Sequence, residues 1–241
     1  MDGTASGKAR RGVNVTCAAA SALFVLACVP AAAQTPGTAS FRILQRGASI
    51  GTMNVSVARE PGGWRVHGSG HAAGTVDVTV KQFDAEYDHR WRARFLTVER
   101  SGPRSSTLVH VVVGRATAHV DIVTATEARW HSHAISPDTV FLPDHAYTAF
   151  AAVAARLNGA GQRAEIPLLL VPDSERRAVV DAWDAVTVQT RAGPVRASRH
   201  TLTLIGPIRS QIHVWETKGD LLRVDIPDDE ITVVRSDVVV P

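Results

Sequence analysis

Four short stretches of this chain carry residue types that could do chemistry. His131-Ser132-His133 sets two imidazoles two positions apart, and on a β-strand such residues point to the same face. Two imidazoles so placed can converge on zinc or iron if neighbouring strands supply further ligands, with His110, His119 and His145 as candidates. Ten histidines in 241 residues also produce such a pair by chance on a solvated face. Asp228-Asp229-Glu230 offers paired carboxylates, but its place directly after Pro227 and between two strand-like runs reads as a solvated turn. Asp181 and Asp184 flank Trp183 as they would in a glycan site, and equally as they would on a half-exposed strand edge. Gly68-Ser69-Gly70-His71-Ala72-Ala73-Gly74 resembles a phosphate-binding loop with the wrong spacing. A strand-like run, Val76-Asp77-Val78-Thr79-Val80, follows it in place of the helix whose N-terminus would hold phosphate, so the stretch reads as a flexible hairpin connection.

No Gly-x-Ser-x-Gly, His-Glu-x-x-His or Ser-x-x-Lys motif is present, so no catalytic residue and no cofactor are assigned. A metal-dependent hydrolase built on His131 and His133 stands as the alternative reading. The leading one comes from the aromatics. Trp91, Phe95, Trp130, Tyr147, Phe150, Trp183 and Trp215 are expected to point inward from different elements. All but Trp183 are the candidate ligand-binding residues, because aromatic side chains around a concave apolar space suit a hydrophobic ligand. An ordinary packed core would use them equally well.

What must position these residues is mostly β. In residues 212–235, two turn signals, Lys218-Gly219-Asp220 and Pro227-Asp228-Asp229, separate three runs whose apolar residues recur at every second position. That is an antiparallel meander, with Leu222, Val224 and Ile226 on one face of its middle strand. The same alternation recurs at 41–46, 50–57, 64–70, 75–81, 91–98, 116–123, 128–135, 183–190 and 195–205, and residues 164–171 return to β with Leu168-Leu169-Leu170-Val171 expected to be buried on both sides or near a ligand. Residues 107–113 are apolar at every second position on both faces, which predicts a central strand covered on two sides. Residues 172–178 read as a polar turn or short helix. One helix is expected over 144–157, capped by Asp144, with Tyr147, Phe150, Ala151, Ala154 and Leu157 in a single stripe and Asn158-Gly159 ending it. A lone helix needs the sheet to bury that stripe. The expected fold is mainly β: a strongly curved antiparallel meander sheet, a half-barrel or open barrel, with one mid-chain α-helix packed against it. Alternation alone leaves one wrapped sheet and two packed sheets equally open.

Residues 1–33 read as a secretory signal peptide: Lys8, Arg10 and Arg11, an apolar run, then Ala31-Ala32-Ala33 before Gln34. Residues 34–40 form a short loop and 41–241 a single β-rich domain. The leader takes with it three basic residues against Asp2, so the formal charge falls from +3 to +1 and no basic stripe remains for nucleic acid. Both cysteines, Cys17 and Cys28, lie in the leader, which leaves no thiol chemistry downstream. Val25-Leu26-Ala27-Cys28 resembles a lipobox, and membrane contact is expected only if Cys28 is lipidated. Export to a bacterial periplasm or envelope is therefore the expected location, with a hydrophobic small molecule or lipid, or an envelope protein, as partner.

Ile50-Gly51 in an opening hairpin and the closing Trp-x-x-x-Gly-Asp-Leu-Leu-Arg-Val-x-x-Pro stretch, Trp215 through Pro227, resemble bacterial exported proteins of unknown function. Their fold is similar to the curved half-barrel of outer-membrane lipoprotein carriers and related periplasmic lipid-binding proteins. The resemblance implies a non-catalytic binding module for a lipid or acyl chain and brings no site residues with it. An envelope scaffold that binds protein through sheet edges is the third reading.

Overall fold

The computed structural model describes residues 1–2, 35–74, 77–103, 105–206 and 209–240, so the expected signal peptide and Cys28 lie outside the described residues. The chain divides into Met1–Pro30 and Ala31–Pro241, and the fold below is that of the second unit. Fifteen strands join in one sheet: β1 (Gly37–Gln45), β2 (Ala48–Glu60), β3 (Gly63–Ala73), β4 (Asp77–Tyr87), β5 (Ala93–Ser101), β6 (Ser106–Val113), β7 (Thr117–Thr124), β8 (Ala128–Ala134), β9 (Val140–Phe141), β10 (Glu165–Leu170), β11 (Ser174–Thr190), β12 (Gly193–Ile205), β13 (Ser210–Thr217), β14 (Asp220–Ile226) and β15 (Ile231–Arg235). Their order is β8-β7-β6-β5-β4-β3-β2-β1-β15-β14-β13-β12-β11-β10-β9, antiparallel throughout except for the parallel pair β9–β10. The expected curved antiparallel sheet with one helix is what forms, and it is one wrapped sheet.

The wrapping follows from the sequence pattern. Strands β1 to β7 and β12 to β15 alternate buried and exposed positions, so each has one dry face. A sheet this wide twists and curls until those faces meet. Its two edges approach without pairing as strands. Ala93 N–H donates to Thr139 O at 2.8 Å, Ser136 N–H to Glu175 Oε2 at 2.6 Å, and His133 Nε2–H to Pro172 O at 3.0 Å. The barrel is drawn together by loops and side chains and stays open along β8.

Inside lies α1 (Phe150–Leu157), entered through a 3-10 turn at Tyr147–Ala149. The expected helix over 144–157 is therefore shorter. Asp144 caps nothing, since α1 has no side-chain cap, and its carboxylate faces His145 at 3.3 Å and Arg100 at 3.7 Å. Nor is the apolar surface one stripe: Phe150, Ala151, Ala152, Val153, Ala154 and Leu157 are all buried. A helix dry on nearly every side is a core element, held here by β9, β13 and β14. Asn158-Gly159 does end it, with Gly159 at φ +81°.

Three further expectations are corrected. β6 is buried only at Val109 and Val111, while Val112 is 52% exposed, so no layer covers its outer face. Residues 174–178 belong to β11, because Ser174 through Val179 pair with β10 and their charges point to solvent or to loop partners. Gly68 and Gly70 sit inside β3, not in a hairpin connection. The double-sided burial expected of 168–171 is found in β10, where Leu168 and Leu169 are both fully buried.

Candidate functional site

The inward positions of the sheet are filled differently at its two ends. Beside the C-terminus of α1, Trp64 stacks on Trp91 with centroids 4.9 Å apart, and Tyr87 meets Trp91 at 5.6 Å and Phe141 at 5.8 Å. Arg156 of α1 donates to Arg90 O at 2.8 Å and ties the helix to this end. Rings fill the space completely: Tyr87 is 1% exposed and Phe141 fully buried. Burial without a hydrogen-bond partner holds the Tyr87 phenol far above the ordinary tyrosine range.

At the opposite end the equivalent inward positions of β3 are Gly68 and Gly70, paired with Val55 and Met53 of β2. A Cβ on Gly68 would fall 2.7 Å from the Thr148 methyl, so this glycine lets the 3-10 turn lie directly on the sheet. A Cβ on Gly70 would fall 2.7 Å from that of Met53. Between this end of the sheet and the lead-in of α1 lies a cavity of about 320 Å³, with Gly70 in its lining. Ile43, Met53, Val78, Val80 and Ile231 form its apolar wall and Tyr147 and Thr148 one side, while Arg46, His71, His145, Asp228, Asp229 and Glu230 stand around the mouth.

The mouth is acidic. Arg46 forms an ion pair with Glu230, which cancels one carboxylate. His71 Nδ1 lies 3.0 Å from Thr79 Oγ1 and 3.9 Å from Asp77, and His145 faces Asp144. Asp228 and Asp229, in the 3-10 turn Pro227–Asp229, are exposed and make no hydrogen bond or ion pair among the described residues. The carboxylate field reaches Tyr147: burial first, then Asp229 and Asp144, push its phenol up to about 12. This arrangement can hold an apolar body and meet a polar or charged end at the rim.

The candidate residues from the sequence scatter. Tyr147 lines the cavity, and Phe150, 2% exposed, begins the helix behind it. Trp91 belongs to the filled aromatic end. Phe95, Trp130 and Trp215 lie on the outer face, opposite to their inward neighbours Leu96, His131 and Val214. Trp130 is 75% and Trp183 48% exposed, and Trp215 is covered by Arg223 at 4.9 Å. The expected inward convergence of aromatics does not form, because strand alternation sends half of them outward. The pair Gly68/Gly70, read from the sequence as a hairpin connection, marks close approach on one face of a strand: of the 3-10 turn at Gly68 and of Met53 at Gly70.

His131 and His133 do share a face, with ring centroids 6.2 Å apart, beside Glu127, Arg129 and Asp173. His133 is engaged with Pro172 O, His119 with Ser132 at 2.8 Å and His110 with Thr97 at 3.0 Å. Among the described residues no group of three or more His, Cys, Asp or Glu is placed to hold a metal ion.

No family model matches the chain, and no curated protein does. One solved structure is similar, a DUF1089 family protein from Pseudomonas aeruginosa, with 12% identity and a TM-score of 0.45 over 73% of this chain and 90% of that one.

Proposed function

We propose that this protein is a non-catalytic binding module that takes a small hydrophobic or amphipathic ligand into the cavity beneath Tyr147, in a bacterial envelope. The observation that carries the reading is a hollow with a largely apolar wall at one end of a barrel whose other end is filled by stacked rings. Its volume of about 320 Å³ is at the lower limit of ordinary small-molecule sites. The occupant is therefore one short chain or a compact ring system. A whole lipoprotein acyl cluster is too large, since α1 and its neighbours fill the centre of the barrel.

Fluorescence titration of the chain from Gln34 onward with N-phenylnaphthylamine, a neutral apolar probe, is the direct test. Saturable uptake by the native protein, abolished by Ala72→Phe, which fills the cavity from β3, supports the reading. Uptake that Ala72→Phe leaves unchanged, or no saturable uptake, removes it. Native mass spectrometry of protein purified without detergent, followed by organic extraction, then identifies any natural occupant. The hydrolase reading on His131 and His133 has no third ligand to build on among the described residues.

A further inference from the structure

Resting on that binding reading, we infer that the ligand is a cationic amphiphile: an apolar chain or ring seated between Met53, Val80 and Ile231, with an ammonium-type head held at the mouth by Asp228, Asp229 and the ring of Tyr147. The hollow and the rim are separate observations that agree. Ile43, Ile50, Met53, Val78, Val80 and Ile231 make most of the wall apolar, and its polar groups, Gln45, Thr148 and Tyr147, carry no charge to pair with one, so a charged group of a ligand is best placed at the mouth. At the mouth the local charge has one sign. Arg46, the one permanent cation of the lining, is neutralised by Glu230, and the two remaining carboxylates have no hydrogen-bond or ion-pair partner among the described residues. Both histidines of the rim face carboxylates, Asp77 and Asp144, and Asp144 is also paired with Arg100 at 3.7 Å, so the unpaired negative charge of the rim rests on Asp228 and Asp229. Asp229 and Asp144 lie close enough to Tyr147 to disfavour its phenolate in addition to burial.

An anionic head such as a fatty carboxylate would meet this field at close range with no free cation to receive it, whereas an ammonium would find two carboxylates and an aromatic face. Aromatic rings bind alkylammonium groups through the negative potential of their faces, and Tyr147 forms the cavity side next to Asp229.

The test is displacement of bound N-phenylnaphthylamine by three decyl compounds: decyltrimethylammonium, decanol and decanoate, each below its micelle concentration. The expected order is cation before alcohol before carboxylate, with about a tenfold gap between cation and carboxylate at low salt that narrows as salt is added. In Asp228→Asn/Asp229→Asn the gap should shrink to about twofold, while decanol displaces as before. Decanoate equal to or better than the cation, or a cation preference that survives the double substitution, overturns the inference while the displacement by decanol keeps the binding reading intact. Failure of all three to displace, with no saturable probe uptake, defeats both.

Discussion

The two ends of the barrel are built from the same strands and differ in what those strands turn inward. At the Trp64 end, β3 and β4 present an indole and a phenol, Trp91 stacks across them, and the site is full. At the Tyr147 end the same β3 presents Gly68 and Gly70, and β4 presents Val78 and Val80. The lesson is that a wrapped sheet can change both its ladder and its side-chain volume over a few residues. The β2–β3 register runs on without a shift, but the β3–β4 ladder shifts between Gly68 and Gly70, and the β1–β2 and β4–β5 ladders shift at Ile43/Leu44 and Val80/Gln82, all beside the cavity. One end is closed by stacked rings, and the other stays hollow where bulges and small residues meet.

That division can be broken from either side. The largest effect should come from the stacked rings. Trp64→Ala removes one face of the indole stack and leaves a cavity among Tyr87, Trp91 and Phe141, with an expected loss of about 3–5 kcal/mol in denaturant unfolding. A loss under about 1 kcal/mol would mean that the rings do not hold this end together. Next comes Gly68→Val, which thrusts a branched side chain at Thr148 and the Asn54 carbonyl. It should cost about 1–3 kcal/mol and weaken probe uptake by displacing the 3-10 turn. Unchanged uptake would show that the turn does not shape the cavity.

The two tyrosines, one in each end, allow a sharper comparison through alkaline titration. Both phenols have folded-state values above the ordinary value of about 10, so the stabilisation they provide is complete below pH 10 and declines as pH rises above it. Phenolate absorbance should remain absent at pH 10 in the folded protein. Tyr147 should ionise first, near pH 12, and earlier in Asp229→Asn, whereas Tyr87 should ionise only with unfolding. Ionisation of both at pH 10 would contradict the burial of each. The smallest effect is expected outside the barrel: Trp130→Ala, at a side chain 75% exposed on β8, should shift stability by no more than about 0.5 kcal/mol and leave uptake unchanged.

The architecture was legible in the sequence to the extent that it depends on alternation. The closing meander, the pairing of Ala116–Val123 with 107–113, and a single mid-chain helix all follow from period-2 and period-3.6 patterns. What alternation does not carry is which of its two faces is dry. Phe95, Trp130 and Trp215 look like core residues by type and stand on the outer face, while Leu108 and Val112 make β6 look covered twice when only Val109 and Val111 are. The helix boundary was missed because Asp144 has the composition of a cap, yet the chain is bound to β10 there by Leu142 N–H to Leu169 O and then turns through His145 at φ +55°. The candidate site was the least legible part. Its acidic rim has the composition of an ordinary turn, and its hollow depends on how the lead-in of α1 lies against β2, β3 and β4, which no local pattern records.

The seam between β1 and β15 sets a condition on how the molecule comes into being. Phe41 pairs with Arg235, and β1 also pairs with β2, so the first and last strands of the sheet lie side by side in its interior and the two halves are joined as strands there. Beyond β15, Ser236 N–H donates to Ser40 O at 2.8 Å and Val238 packs with Leu44 and Val234, clamping the joint from outside. A chain emerging N-terminus first can pair β1 to β8 as hairpins, but β1 keeps one bare edge until the final residues appear. Such long-range closure is slow, and the half-made sheet remains soft and open for as long as it takes.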